Sequence, residues 1–236
     1  GFVDHAEGVA LWSSTLTDRQ VPLAQAAQDR LGLPVTIDND ANLVALAELW
    51  FGAGRSLSDF AVVTFEHGVG MGFVMNHRIY RGSQRLGMEL GHTKVQLDGA
   101  LCRCGQRGCL EAYVADYALA REATTALNWG HREGQSISVL LESLYEHAKA
   151  GDATARSIFR RAGRYLAVGL ANAKGAIGTA GSLKVHFLGH SLGAIAGANL
   201  LAVANQSVGN PTADALFKFD TGGLAMPGGG IAPLLL

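Results

Sequence analysis

The sequence predicts an α/β fold, in which a short antiparallel meander of strands is followed by a long helical region. The strand candidates are apolar or alternating runs at 60–66, 71–75 and 78–80. A glycine-rich turn joins the first two runs, and Asn76-His77 joins the last two as a hairpin turn. Apolar residues at helical spacing then predict helices over 111–127, 136–149 and 153–172. With 236 residues, the chain is long enough for one large domain or two small ones.

The segment before the meander predicts two helices and one short strand. Apolar positions at helical spacing indicate a helix over 19–32, with Gly32 as its stop. Residues 35–37, Val-Thr-Ile, are typical of a buried strand. The polar run 38–42, Asp-Asn-Asp-Ala-Asn, then opens a second helix that reaches about Phe51.

The charge and the apolar content of the chain bear on whether it binds nucleic acid or a membrane. The net charge is −1 and only 17% of the residues are charged. Nucleic-acid binding requires clustered lysine and arginine, so we expect no nucleic acid to bind through this chain. No window has the apolar length of a membrane span, so we expect no membrane partner. Homo-oligomerisation is left open.

The cysteines indicate a metal site. All three lie at Cys102, Cys104 and Cys109, whereas a secreted disulfide framework would spread an even number along the chain. This usage is typical of a reducing, cytoplasmic setting. With His92 the cysteines supply four thiolate and imidazole ligands, the set that closes a tetrahedral shell around a structural zinc ion. The alternative is a group of free, buried thiols.

Three motifs carry a resemblance to a known family. Gly-Met-Glu-Leu-Gly-His at 87–92, followed by Cys-x-Cys-Gly-x-x-Gly-Cys-x-Glu at 102–111, is similar to the signature of the ROK family of repressors and sugar kinases. The run at 38–42 resembles the upstream sugar-site motif of that family. The likeness covers about residues 1–172. The stretch from Glu89 to Glu111, with the Asp-Tyr pair that follows, is closer to the repressors than to the kinases.

The resemblance implies a partial actin-like ATPase fold with a zinc loop, and a sugar site. It assigns the binding of sugar hydroxyls to Asn39, Asp40, Glu89, His92 and Glu111. His92 would hold zinc with one ring nitrogen and sugar with the other, so that the metal organises the ligand site. Structural alternatives stay open for part of this region. Asp38 and Asn42 are suited to helix capping, and Glu111 to the first turn of a helix.

In ROK kinases the residue that matches Asp40 is the general base. Two observations argue against phosphoryl transfer here. No glycine-rich phosphate loop precedes residue 38, so we expect the amino-terminal lobe of the family to be missing. The second phosphate turn reads Glu66-His67-Gly68 where the kinases usually have Gly-Thr-Gly, and an anionic Glu66 would repel phosphates.

A second signature follows residue 183. A strand predicted at 184–188 leads into Gly-His-Ser-Leu-Gly at 189–193, which matches the nucleophile elbow of α/β-hydrolases with Ser191 as nucleophile. The segment 184–236 resembles part of a bacterial lipase, including the glycine-rich run at 225–231. No histidine follows Ser191, although the mechanism needs one as base. A plain strand–helix turn containing a serine is the alternative.

The sequence therefore predicts a ROK-like region over 1–172, a junction over 173–183 and a lipase-like segment over 184–236. The favoured hypothesis is a zinc-containing sugar-sensing module from a transcriptional repressor whose DNA-binding part is missing. The alternatives are a serine ester hydrolase that uses Ser191 and, less favoured, a sugar kinase that uses Asp40 as base. The sequence does not decide whether the chain is an enzyme.

Overall fold

The computed structural model describes residues 1–13, 15–82, 88–129 and 136–177, and the strands His186–His190, Thr221–Met226 and Gly229–Pro233. The chain divides into two compact units. The first unit comprises Gly1–Thr64 and Gly70–Glu89, and the second comprises Phe65–Val69 and Leu90–Leu236. Among the described residues, no helix has both the length and the apolar character needed to cross a membrane.

The first unit contains two small sheets and two α-helices. Its elements are β1 (Phe2–Asp4), β2 (Val9–Trp12), α1 (Leu23–Leu31), α2 (Asp40–Phe51), β3 (Phe60–Phe65), β4 (Val69–Met75) and β5 (Arg78–Tyr80). Strands β1 and β2 form an antiparallel pair. The other three strands form a sheet in the order β3-β4-β5, with β4 and β5 antiparallel. The predicted meander is therefore confirmed.

Local signals explain where these elements begin and end. Asn76 and His77 both have positive φ, 52° and 58°, as a two-residue hairpin turn of type I′ requires. Helix α1 stops at Gly32, whose φ of +67° is the left-handed conformation that favours glycine. The helix starts at Leu23, four residues later than predicted, directly after Pro22, which has no N–H to donate.

The strand predicted at 35–37 is wrong. The segment has no ladder partner among the described residues, so its β-propensity does not lead to a strand. The carbonyl oxygen of Ile37 instead lies 2.8 Å from Nδ1 of the His5 ring. The segment thus runs directly into the amino end of α2.

Helix α2 packs closely on β4 because small residues face each other. Ala41 and Ala45 are buried on the helix, and Gly70 and Gly72 lie opposite them on the strand. A Cβ atom added at Gly72 would lie 2.8 Å from the Cβ of Ala45, and one at Gly70 would lie 3.1 Å from that of Ala41. The glycines therefore fix the separation of helix and sheet, and with it the position of the amino end of α2.

The outer face of α2 is apolar and exposed. Leu43, Ala47 and Trp50 recur at helical spacing, and Phe51 follows them. The side chains of Trp50 and Phe51 are 59% and 79% exposed. The helix thus carries apolar residues on both its packed and its open face.

The described helices of the second unit form one core. They are α3 (Glu111–Val114), α4 (Asp116–Ala126), α5 (Ile137–Lys149) and α6 (Ala153–Ile177). The predicted helix 111–127 is interrupted at Ala115, which takes an extended conformation with ψ of 158°. The most buried large side chains of this core are Leu110, Leu141, Leu144, Ile158, Phe159 and Leu166. Helix α6 continues to Ile177 and so occupies the first half of the junction expected at 173–183.

Three strands lie beyond that junction: β6 (His186–His190), β7 (Thr221–Met226) and β8 (Gly229–Pro233). They form a sheet in the order β6-β7-β8, with β6 and β7 parallel and β7 and β8 antiparallel. The strand predicted at 184–188 is present with shifted bounds, because it includes Gly189 and His190.

We expect Gly72→Ala to lower the free energy of unfolding by about 1–3 kcal/mol, because the added methyl group overlaps the Ala41 carbonyl oxygen and the Ala45 side chain. Urea denaturation measures the change. Met75→Ala, at an exposed position of the same strand, is the matched control and should stay within about 0.5 kcal/mol of the parent. Unchanged stability of Gly72→Ala would contradict this packing account.

Candidate metal centre and sugar-binding residues

His92 ends a single 3-10 turn, Leu90–His92, at the start of the cysteine-containing loop. Gly91 lets this turn pack closely, since a Cβ there would lie 2.9 Å from the Cβ of Val69. The Thr93 hydroxyl donates to the Leu90 carbonyl oxygen at 2.7 Å and closes the turn. The imidazole is therefore presented by a short, internally bonded segment.

The loop that carries the cysteines folds back on itself. The Cys102 N–H donates to the Gln106 carbonyl oxygen at 2.8 Å, and the Gly105 N–H donates to the Cys102 carbonyl oxygen at 3.0 Å. Gly105 and Gly108 have φ values of +86° and +76°, which residues with a Cβ rarely adopt. The two glycines thus make the reversal that brings Cys109 back to the other thiols.

The four predicted metal ligands come together. His92, Cys102, Cys104 and Cys109 each offer one donor atom, and these atoms all lie within 4.8 Å of one another. The Sγ atoms of Cys104 and Cys109 are 3.8 Å apart, as are Sγ of Cys102 and Nδ1 of His92. Zinc–sulfur bonds of about 2.3 Å in a tetrahedron place two sulfurs about 3.8 Å apart. Donor chemistry and spacing both fit a closed, structural zinc site.

Burial raises the pKa of the Cys102 thiol to about 12 in the metal-free protein. Such a thiol stays protonated near neutral pH. Zinc binds the thiolate, so metal binding must release the proton of Cys102.

Glu111 lies beside this cluster at the first position of α3. The residue is buried, with 8% exposure. Its Oε2 accepts a hydrogen bond of 3.2 Å from the Val69 N–H, and its Oε1 lies 3.6 Å from the Cys102 Sγ. The Tyr117 hydroxyl lies 3.5 Å from the same Oε1, and the guanidinium of Arg103 lies 4.0 Å from the centre of the Tyr117 ring. The Glu111 carboxylate therefore contacts the Val69 N–H through one oxygen, and the Cys102 sulfur and the Tyr117 hydroxyl through the other.

The turn Glu66-His67-Gly68 is tied to α4. The Glu66 N–H donates to the Gly68 carbonyl oxygen at 3.0 Å, and the Asp116 N–H donates to the Glu66 carbonyl oxygen at 2.9 Å. The exposed His67 ring lies 3.2 Å from the carboxylate of Asp116. Burial raises the pKa of Asp116, and the neighbouring His67 opposes this rise.

In the first unit, Asp38 is the centre of a hydrogen-bond network. Its Oδ2 accepts bonds of 2.9 and 2.6 Å from Nε and Nη2 of Arg81. Its Oδ1 accepts bonds from the Asn39 N–H and the Asn42 side chain, at 2.8 and 2.9 Å. Burial alone would raise the pKa of Asp38, but these bonds, led by Arg81, hold it below the ordinary value. The network fixes the loop that enters α2.

The capping residue of α2 is Asn39, not Asp38 or Asn42. The Asn39 Oδ1 accepts from the Ala41 N–H at 2.9 Å, and its Nδ2 donates to the Gly1 carbonyl oxygen at 2.9 Å. Asp40 is exposed in the first helical turn, where the helix dipole favours a carboxylate. Glu89 is also exposed. Among the predicted sugar residues, Asn39, Asp40 and Glu89 belong to the first unit, and His92 and Glu111 to the second.

Sequence reasoning missed two partners that the structure supplies. Arg81 lies 43 residues from Asp38, so no local spacing links them. Lys94 places its Nζ 3.1 Å from the Cys109 Sγ. The only sequence signal for Lys94 is its position two residues after the predicted ligand His92.

Comparison with known proteins identifies the family. The ROK family model matches residues 1–179. The chain belongs to the ROK family. It is 33% identical over 185 residues to a glucokinase of Halalkalibacterium halodurans, a match covering 75% of this chain and 56% of that protein. It is 29% identical over 177 residues to the xylose repressor of Caldicellulosiruptor bescii, covering 73% of this chain and 44% of that protein. The chain thus spans about half the length of these relatives.

A solved structure shows the same relationship. The ROK family glucokinase from Streptomyces griseus, crystallised with glucose and AMPPNP, superposes with a TM-score of 0.73 at 28% sequence identity. The alignment covers 96% of this chain and 73% of that chain. The α/β fold and the actin-like likeness predicted from the motifs are therefore supported, and both a glucokinase and a xylose repressor are among the relatives.

The comparisons give no support to the resemblance with an α/β-hydrolase lipase. The alignment with the ROK glucokinase covers 96% of this chain. Residues 184–236 make up more than a fifth of the chain, so that alignment must include part of this segment. Ser191, the nucleophile of the hydrolase hypothesis, lies outside the described residues. Its role therefore stays an untested prediction without support from relatives.

We expect Asp38→Asn to lower the free energy of unfolding by about 1–3 kcal/mol at pH 7, because it removes the charge that Arg81 pairs with inside the network. The folded-state pKa of Asp38 is lowered, so its contribution is present above pH 3.8 and lost below it. Urea denaturation across pH should show the gap between parent and variant closing below that pH. The exposed Asp18→Asn is the control, and a gap that does not depend on pH would refute the account.

Metal analysis of the reduced protein should return about one zinc per chain. Cys104→Ser should lower zinc affinity at least about 10-fold, since it removes one ligand at an exposed position where no cavity results. Asp98→Asn, a change in the same loop outside the donor set, should leave affinity unchanged. Chelation should lower the melting temperature of the parent. A folded, reduced preparation that contains no metal would exclude the site.

Proposed function

We propose that this chain is a sugar-binding module of the ROK family in which a structural zinc ion positions the ligand residues, and that it serves as the sugar sensor of a transcriptional repressor. The observation that carries the proposal is the convergence of His92 and three cysteines within 4.8 Å, directly against the buried carboxylate of Glu111. The segment 92–111 thereby combines a metal-ligand set with two of the residues assigned to sugar recognition.

The chemistry of the assigned residues suits a polyhydroxylated ligand. A carboxylate accepts hydrogen bonds from several hydroxyl groups. The assigned residues include three carboxylates, those of Asp40, Glu89 and Glu111. Zinc on Nδ1 of His92 would leave Nε2 for a sugar hydroxyl and would fix the ring orientation. The zinc ion would supply rigidity to this loop.

Sensing is favoured over phosphoryl transfer by the turn that precedes β4. A phosphate cradle needs backbone N–H groups that are free to point at the ligand. Two N–H groups at the ends of this turn are engaged: the Glu66 N–H donates to the Gly68 carbonyl oxygen, and the Val69 N–H, at the first residue of β4, donates to Glu111. The Glu66 side chain adds a negative charge to the same turn. These features support a binding role for the module.

A sugar kinase is the second candidate, because a glucokinase is 33% identical over 75% of the chain. In that case Asp40 would take the proton from the attacking sugar hydroxyl. Its exposed carboxylate at the start of α2 suits a base that meets substrate. The two candidates share the sugar ligand and differ in the use of ATP.

We assign DNA contact to other parts of the repressor rather than to these residues. A net charge of −1 provides no electrostatic attraction for a phosphate backbone. The ligand is expected among the sugars associated with relatives, of which glucose and xylose are the first to test.

Isothermal titration of the zinc-loaded protein with glucose and xylose should detect binding of at least one of them. Asp40→Asn should weaken that binding about 10-fold or more, the loss expected for a hydrogen bond to a charged group. Asp18→Asn, at an exposed position outside the assigned residues, should bind as the parent does. Equal affinity in all three proteins would contradict the assignment of Asp40.

The same preparations separate the two candidates. With ATP and Mg²⁺, a sensor produces no sugar-dependent ADP. Sugar-dependent ADP release that disappears in Asp40→Asn would show that the protein is a sugar kinase and not a sensor. The assignment of Asp40 to the sugar site would still hold.

A further inference from the structure

A lysine lies against one of the candidate metal ligands. The Nζ of Lys94 is 3.1 Å from the Sγ of Cys109 and 2.6 Å from the Oε1 of Gln106. Cys109 is fully buried, whereas Lys94 is exposed. The ammonium group therefore reaches a buried sulfur from the solvent side and is held there by a second acceptor.

The backbone fixes this approach. Lys94 and Cys109 face each other in an antiparallel bridge. On either side of it, the Leu110 N–H donates to the Thr93 carbonyl oxygen at 2.9 Å, and the Val95 N–H donates to the Gly108 carbonyl oxygen at 2.9 Å. Because the two chain segments are in fixed register, the ammonium–sulfur contact follows from the fold of the loop.

The charge of a zinc-loaded site explains why an ammonium group beside Cys109 would be favourable. Three thiolates and a neutral imidazole around Zn²⁺ leave one net negative charge. Two of the sulfurs, on Cys102 and Cys109, are buried, and a buried charge is costly unless it is paired and hydrogen-bonded. An ammonium group that donates to a metal-bound thiolate compensates that charge and draws electron density from the sulfur.

We propose that Lys94 is a positioning residue of the metal centre, which neutralises the Cys3His zinc shell and protects the Cys109 thiolate from electrophiles. The proposal rests on the zinc site inferred above. Loss of the ammonium group then has two effects. It lowers zinc affinity, and it increases the rate at which an alkylating reagent attacks the sulfur.

The test uses zinc-loaded protein at pH 7 with iodoacetamide and an excess of a chromogenic chelator. The thiolate sulfur forms a bond to the reagent carbon, iodide leaves, and the released zinc is read by absorbance. Lys94→Met removes the charge and keeps the length of the side chain, and Lys94→Gln is a second neutral variant. Lys94→Arg keeps the charge. Lys149→Met, on α5, is the control lysine.

We expect both neutral variants to release zinc about 10-fold faster than the parent and to bind it about 10-fold more weakly in chelator competition. Lys94→Arg and Lys149→Met should stay within about twofold of the parent. Parent-like rates and affinities in both neutral variants would overturn the role of Lys94 while leaving the zinc site intact. An equal defect in Lys94→Arg would overturn the charge argument. A parent protein that binds no zinc would overturn the metal site and this proposal together.

Discussion

The arrangement of the cysteine-containing loop depends on one electrostatic constraint, the crowding of three thiols and an imidazole into a space less than 5 Å across. Burial raises the pKa of the Cys102 thiol, so a thiolate at that position is costly without a cation beside it. A tetrahedral metal ion would turn the same crowding into a cross-link of the loop. The buried Glu111 lies 3.6 Å from the Cys102 Sγ, so a metal ion bound there would couple the order of the loop to the orientation of that carboxylate.

Sequence reasoning succeeded where a few neighbouring residues determine the structure. Gly32 ends α1, Asn76-His77 makes the hairpin, and the cysteine spacing brings the thiols together. Each of these depends on the conformational preference of one or two residues or on ligand chemistry. The sugar residues were assigned by the family resemblance and not by spacing, and that assignment stays a prediction.

Failures occurred where the outcome depends on distant partners. Val35-Thr36-Ile37 has the propensity of a strand, but a strand needs a neighbouring ladder, and the sequence does not show whether one is present. Asn39 caps α2, whereas Asp38 bonds to Arg81, a partner 43 residues away that local spacing does not reveal. The lipase resemblance rested on a five-residue motif, its predicted strand and helix context and the glycine-rich run at 225–231, and the relatives gave it no support.

The exposed apolar face of α2 has a consequence for colloidal behaviour. Apolar patches on neighbouring molecules attract one another at short range, and like charges on the two surfaces are what keeps them apart. This chain has a net charge of only −1 near neutrality, so that repulsion is weak. Acidification would restore a protective charge but would protonate the thiolates that zinc needs. The pH that suits the metal centre is therefore also the pH at which Trp50 and Phe51 are least protected against self-association.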